Sequence, residues 1–403
     1  MHPSHRHPPS EAQMKVALLC SGLGNIHRGH EVFARDLFNL LEDDVDITLF
    51  KGGGTPLARE WVIEHVPRNT KYLDDMHLPV APKWQSAAQE VERMRVEGET
   101  FAYASLKHLL EGDFDVIHCL EQEVCNVIYG FRHLFRKPPK ILWSNGGALP
   151  AASQPQCDFV QEHTEGNLAN SNREKAFVIP HGIDLQTFHP GVETDFRSQH
   201  GIPPDAFVVI SVGTICYWHK RMDYVIREVA AVPDAWLVIV GQESGDSPAI
   251  KALGRELMEE RIIFTTMPHD ELPKAYAAAD VFVLGSLFET FGIVYIEAMA
   301  MGLPVICTNH PNQKSIVKEG VFIDMKQSGA LAIVLSGTNR NALNDFAEKG
   351  LRIVTEHYDL QVLKRHYIAH YQRIAASQPH LPTYSLGRKL IANLRNTLKQ
   401  FTA

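Results

Sequence analysis

The stretch DVFVLGSLFETFGIVYIEAMAMGLPVIC, residues 280–307, runs from a short apolar segment through a glycine- and serine-containing loop into a longer apolar segment and back to a β-branched one. A strand, a loop, a helix and a second strand in that order make a βαβ unit, and strands buried on both faces belong to a parallel sheet covered by helices. Two carboxylates, Glu289 and Glu297, interrupt an otherwise core-like segment. The helix is expected to begin near Phe291 or Gly292. Its first turn then offers backbone N–H groups without intrahelical partners and about half a positive charge, which suits a phosphate. Gly292 removes the Cβ that would block a close approach. Glu297 falls roughly 9 Å along the axis. Both acids would be repelled by a phosphate, so each is expected to accept hydrogen bonds from hydroxyl groups at the two ends of a diphosphate-linked ligand. The alternative is structural, with Glu289 as a cap and Glu297 paired to a base.

The same alternation extends outward in both directions. MKVALLC (14–20), VDITLF (45–50), DVIHCL (115–120) and KILWS (140–144) form one set of strands, separated by HEVFARDLFNLL and by the long helical pattern SAAQEVERMRVEGETFAYASLKHLL, with Ser86 as its expected N-cap. FVVISV (207–212), WLVIV (236–240), RIIFT (261–265), DVFVL (280–284) and LPVIC (303–307) form a second set. Between them, IPHGIDLQTFHPG (179–191) lacks periodic hydrophobicity and reads as the linker. The expected fold is therefore α/β, two Rossmann-like domains with parallel sheets facing across a cleft. Residues 1–13 form a tail, 14–185 the first domain, 186–365 the second, and 366–403 C-terminal helices that pack back on the first.

Composition narrows the function. The chain of 403 residues carries a formal net charge of −8, which argues against a nucleic-acid partner. Its six cysteines include no C-x-x-C pair and read as reduced core residues of a cytoplasmic protein. The Pro-rich tail holds His2, His5 and His7 but reads as disordered rather than metal-binding. No apolar run approaches the ~20 residues that span a bilayer. SLGRKLIANLRNTLKQF (385–401), with four cations and no acids, fits either peripheral contact with an anionic membrane face or packing on the first domain.

Three ordered segments resemble retaining GT-B glycosyltransferases, particularly glycosyltransferase family 4. Glu289 and Glu297 match that family's Glu-x7-Glu signature. IPHGIDLQTFHP is similar to its interdomain motif, and VGTICYWHKRMDYVIREVA (212–230) to its segment with a phosphate-binding lysine. The resemblance runs from about residue 14 to about 375. It implies transfer of a sugar from a UDP- or GDP-sugar to a sugar, lipid-linked or small-molecule hydroxyl acceptor, with retention of configuration and with neither metal nor cofactor. It places Glu289 at the donor sugar, Glu297 at the ribose, and Lys220 with the segment Thr290, Phe291, Gly292 and Ile293 at the diphosphate, beside Gly213. Glu289 and Lys220 become the candidate catalytic residues. Two departures stand out: Thr214 occupies the place of the family's arginine, leaving Arg221 or His219 to supply a second cation, and Gly285 replaces a proline.

In the first domain, SGLGNIHRGHE (21–31) follows a strand and precedes a helix, so Gly22 and Gly24 are expected to approach the donor diphosphate or the acceptor. A dinucleotide-binding site would want an acid after the second strand, where Lys51 and three glycines stand instead. Arg28 and His30 are candidates for contact with an anionic acceptor, and Glu121, Glu123 and His163 also stand on the acceptor side. The family's strand-end catalytic histidine has no counterpart, because Leu120 occupies its position and His118 lies within the strand. DFD (113–115) resembles the Asp-x-Asp of metal-dependent glycosyltransferases but precedes its strand, the wrong end of a sheet for a ligand. A nucleotide-sugar epimerase, a phosphorylase, or a sugar-nucleotide-binding subunit without turnover would share this architecture.

Overall fold

Short runs of Val, Ile and Leu become strands because both faces of each are covered, and the computed structural model, which describes residues 14–26, 29–337 and 340–380, arranges them in two sheets. The tail 1–13, Arg28 and the segment 385–401 lie outside the described residues.

The first sheet contains β1 (Lys15–Cys20), β2 (Asp46–Lys51), β3 (Glu60–Val62), β4 (Val116–Cys119), β5 (Lys140–Ser144), β6 (Phe159–Glu162) and β7 (Ala176–Val178). Their order is β3-β2-β1-β4-β5-β6-β7, and every pair is parallel. The second contains β8 (Val208–Val212), β9 (Trp236–Val240), β10 (Ile262–Thr265), β11 (Val281–Val283), β12 (Val305–Thr308) and β13 (Val321–Ile323). It is also parallel, in the order β10-β9-β8-β11-β12-β13. The order of each sheet reverses once, at β1/β4 and at β8/β11. Ligands of open parallel sheets bind outside the carboxyl ends of the strands at such switch points. The loops leaving β1 and β4 carry Gly24 and Glu121, and those leaving β8 and β11 carry Lys220 and Glu289.

The chain crosses between domains twice, and the crossings are joined. Ile183 donates its N–H to Tyr358 O (2.8 Å), and Leu360 donates to Ile183 O (3.1 Å). The helix Leu360–Ala376 then buries Leu363, Tyr367, Tyr371 and Ile374 in the first domain's core beside Leu37 and Phe38. The boundary drawn at 365 from sequence falls inside this helix.

Two local features differ from or refine the sequence reading. The helix Gln85–Glu111 starts one residue before Ser86 and has Trp84 at its N-cap position, because the 3-10 turn Pro82–Trp84 leads straight into it. Asp113 and Asp115 sit ahead of β4, where Asp113 pairs with Arg136, and Asp115 pairs with Lys137 and accepts from Lys15 N (3.0 Å). They therefore mark the edge of the sheet opposite the cleft. All six cysteines are buried and free.

Candidate active site

The loop from β11 enters the helix Ile293–Ala300 through Gly292, whose φ of +76° lies in the left-handed region. A Cβ there would stand 2.8 Å from the Tyr295 ring and 3.4 Å from Glu289 Cγ, so the residue is glycine for its own backbone and packing as much as for ligand approach. The Asn312 side-chain amide donates to the carbonyls of Glu289 (2.5 Å) and Thr290 (2.9 Å), and its oxygen accepts from Thr164 Oγ1 of the first domain (2.9 Å). Phe291 is buried, edge-on to His181 (4.9 Å between centroids) and Tyr358 (5.9 Å), so its ring belongs to the core. Only its backbone is left for a ligand. Ile293 reaches Gly29 across the cleft, 3.5 Å from where a Cβ on that glycine would be.

Glu289 is 4% exposed and its Oε1 accepts from Lys220 Nζ at 2.6 Å. The Lys220 stem lies across Gly213, where a Cβ would come within 3.0 Å of Lys220 Cε. The choice left open between Arg221 and His219 is made by the backbone. Arg221 sits at φ +49°, which turns its guanidinium back to donate to Met325 O (2.7 Å) and Gly285 O (3.3 Å) and to lie over Tyr224. His219 Nε2 instead stands 3.5 Å from Glu289 Oε1, although burial lowers its pKa and favours the neutral ring. Lys220 is thus the cation at the acid, and a diphosphate would compete with Glu289 for it.

Glu297 takes the structural alternative, paired to a base within its own domain. It is 3% exposed, and both oxygens are already engaged: Oε1 with His269 Nε2 (2.9 Å) and Oε2 with the Tyr276 hydroxyl (2.7 Å). The acid ties its helix to the turn His269–Glu271 and the helix Leu272–Ala277. A ribose would have to share or displace those donors.

On the first domain, Gly24 at φ +92° lies against the glycine loop after β2, where a Cβ would overlap Gly53 O at 2.2 Å. Glu121 accepts from Ser21 N (2.8 Å) and Ser21 Oγ (3.1 Å). Burial opposes its charge, but nearby His30 and the hydrogen bonds from Ser21 outweigh it and lower its pKa. His163 is not presented to the open cleft: it is 3% exposed, stacked on His181 at 4.0 Å, with burial pushing it down to about 4. His118 is buried between Tyr371 OH (2.8 Å) and Ser144 Oγ (2.7 Å), and burial lowers it to about 3, a structural neutral imidazole. Among the described residues, Cys20, His30 and Glu121 bring potential ligand atoms within 4.8 Å of one another. Burial, with Glu121 and Glu31 adding to it, pushes the Cys20 thiol well up, so it fits a protonated core thiol rather than a ligand. Sequence reasoning missed Asn312 and the His269–Tyr276 pair, which lack any local signal, and gave His30 no partner.

Residues 192–340, which include Lys220, Glu289 and Glu297, match the model of the family Glycosyl transferases group 1. The match lies within the second domain. D-inositol 3-phosphate glycosyltransferase of Mycobacterium sp. (strain JLS) is 34% identical over 161 residues, 38% of this chain and 36% of that protein. The enzyme of the same name from Mycolicibacterium gilvum (strain PYR-GCK) is 35% identical over 171 residues, 41% of this chain and 37% of that protein. The chain thus spans little more than a third of the length of these relatives. Over the whole molecule, sucrose-phosphate synthase from Thermosynechococcus elongatus superposes with a TM-score of 0.72 at 19% identity, covering 91% of this chain and 100% of the other. The Anabaena protein HepE, in complex with UDP and glucose, gives 0.68 at 16%, covering 89% and 100%. At these identities the likeness concerns the fold, which is that of the GT-B glycosyltransferases.

Proposed function

We propose that this chain is a retaining, metal-independent glycosyltransferase that moves a sugar from a UDP- or GDP-sugar to a hydroxyl acceptor. The observation that carries the reading is the pairing of half-buried Lys220 with buried Glu289 beside the amino end of the helix Ile293–Ala300. Charge builds on the departing diphosphate in the transition state, and fixed donors aimed there are each worth on the order of 3 kcal/mol. Lys220 and the backbone N–H groups of the first helical turn supply such donors. Once Lys220 is drawn to phosphate, Glu289 is free to accept from a donor-sugar hydroxyl. The D-inositol 3-phosphate glycosyltransferases among its relatives and the complex of HepE with UDP and glucose support the substrate class. No helix among the described residues is long and apolar enough to cross a membrane. A cytoplasmic location, with peripheral membrane contact through 385–401, completes the proposal.

A thermal-shift screen of UDP, GDP, ADP and their sugars identifies the donor, because a ligand that binds only the folded form raises its stability. Donor hydrolysis and transfer are then followed by NMR with and without EDTA. We expect activity insensitive to EDTA, a product with the donor's anomeric configuration, and loss of hydrolysis in a Lys220→Ala, Glu289→Ala double variant. Undiminished hydrolysis in that variant would contradict the assignment, and an epimerised nucleotide sugar without acceptor would favour the epimerase alternative.

A further inference from the structure

The loop 213–221, between β8 and the helix Met222–Ala230, carries an aromatic residue that the donor site does not use: Trp218 is 83% exposed. The loop is a fixed frame. Ile215 O accepts from the hydroxyls of Ser244 (2.6 Å) and Ser247 (3.1 Å), Tyr217 N donates to Asp246 Oδ2 (3.1 Å), and Met222 N closes the loop on Cys216 O (3.2 Å). An indole held out in water by such a frame forgoes the burial that ordinarily stabilises a large apolar side chain. Trp218 stacks on the ring of His219, with centroids 5.1 Å apart and planes at 24°. His219 in turn has Nε2 3.5 Å from Glu289 Oε1 and its ring against the Phe288 backbone. Phe288, 45% exposed, directly precedes Glu289 and stands edge-on to His310 at 5.4 Å. Exposed aromatic rings from two separate loops thus converge around the acid proposed to hold the donor sugar.

We propose that Trp218, with Phe288 beside it, is a platform for an uncharged pyranose ring of the acceptor, which makes the acceptor a saccharide of at least two units rather than a free polyol or a lipid alcohol. The inference rests on the glycosyltransferase reading and names its acceptor class. A pyranose turns C–H groups to one face and carries its hydroxyls around the rim. The C–H face covers the electron-rich face of an indole without burying a polar group, while the hydroxyls stay hydrated. The place along the ligand follows from the donor site. Lys220 and the helix end receive the diphosphate, and Glu289 takes the sugar beyond it. Trp218 is reached from Glu289 through His219, so it lies at the sugar end of the donor and not by the nucleobase. It is one ring further out than His219, which suits a sugar unit next to the reacting one. Binding energy from such a remote unit serves to orient the hydroxyl that reacts.

The charges of the loop select the same ligand. Its two cations are turned inward, Lys220 to Glu289 and Arg221 to the carbonyls of Met325 and Gly285. A phosphorylated ring stacked on Trp218 would therefore find no free cation in this loop. The same holds for an anionic membrane face, which recruits exposed aromatics together with outward Lys and Arg. A neutral carbohydrate asks for neither.

The test applies the full chain to a glycan array, with and without UDP or GDP. The Trp218 indole N–H signal, identified by its disappearance in Trp218→Phe, is then followed by NMR as a captured glycan is added. We expect that signal to shift, glycan binding to fall about tenfold in Trp218→Ala, and most of it to be kept in Trp218→Tyr, with UDP and GDP affinity unchanged in both variants. For transfer to the captured glycan, the acceptor KM should rise about tenfold in Trp218→Ala, whereas the methyl glycoside of its terminal unit should be an equally poor acceptor for variant and wild type. Capture of no glycan by the wild type, an unmoved Trp218 signal, or full binding by Trp218→Ala overturns the proposal. So does a Trp218 signal that shifts with phosphatidylcholine–phosphatidylglycerol vesicles and not with glycans, which would make this rim a membrane contact. Failure of the wild type to bind any nucleotide would instead remove the glycosyltransferase reading, and the array without nucleotide still reports on the platform.

Discussion

At the scale of single residues, Gly292 shows how a visible signal and its physical cause can separate. A glycine at the start of the helix is legible in FETFGIVYIEA as a site of close approach. Its left-handed φ and its contacts with Tyr295 and Glu289 are not, because they depend on how the loop folds back on itself. Gly292→Ala combines an unfavourable φ with a Cβ 2.8 Å from an aromatic ring, so we expect a loss of roughly 1–3 kcal/mol. The measurement is the urea midpoint, with nucleotide affinity determined in parallel. Because relieving the clash with Tyr295 shifts the loop that carries Glu289, affinity for the sugar nucleotide should fall more than affinity for the free nucleotide. The Lys220–Glu289 contact joins residues 69 positions apart. No spacing argument finds it, and it was approached only through a resemblance of motifs. The choice between Arg221 and His219 lay beyond sequence for a related reason, since one backbone torsion at Arg221 decides which side chain faces the acid.

At the scale of elements, the strands flanked by clear helical patterns were legible, including the three-residue β11, whereas β3, β6, β7 and β13 were not. β1, β5, β8 and β9 read directly from their β-branched runs. β3 carries Glu60, buried and paired with Arg35 and Lys51, and β6 carries Gln161 and Glu162, both buried and hydrogen-bonded. Buried polar groups inside a sheet erase the hydrophobic pattern that sequence reading depends on. The helix Ile293–Ala300 has the converse property: its apolar pattern is plain, but its anchor is an acid. Glu297 holds it to His269 and Tyr276, and while burial opposes the charge on His269, the hydrogen bond and charge of Glu297 raise its pKa. A histidine raised in the folded state contributes stability that is fully present below its unfolded value, near 6.5, and is lost as pH rises through the folded value. We therefore expect the melting temperature to fall from pH 6 toward pH 8 by an amount that Glu297→Gln largely removes. Differential scanning calorimetry at several pH values checks this. An unchanged pH dependence in the variant would detach His269 from Glu297.

At the scale of the whole molecule, two domains are held as one by a chain that crosses between them twice. An amphipathic pattern in the C-terminal region shows that one face must be buried but not what it meets. The partners lie far off in sequence: Tyr371 OH bonds His118 Nδ1 across 253 positions, and Tyr367 OH accepts from Gln161 across 206. His118 is fully buried and neutral, so its two ring nitrogens are served only by Tyr371 and Ser144. Tyr371→Phe keeps the ring and removes the hydroxyl, leaving Nδ1 without a partner, and should cost roughly 1–2 kcal/mol. Tyr371→Ala also opens a cavity where a fully buried ring stood, and should cost roughly 3–5 kcal/mol. The loss should fall on the first domain, because the second domain's core does not contain this helix. Urea unfolding of Tyr371→Ala, followed by hydrogen exchange of amides in β1 and β8, should therefore show β1 losing protection at lower urea than β8. If both strands lose protection together and by the same amount, the crossing helix is shared by a single cooperative unit, and the domains do not unfold separately even when their tether is weakened.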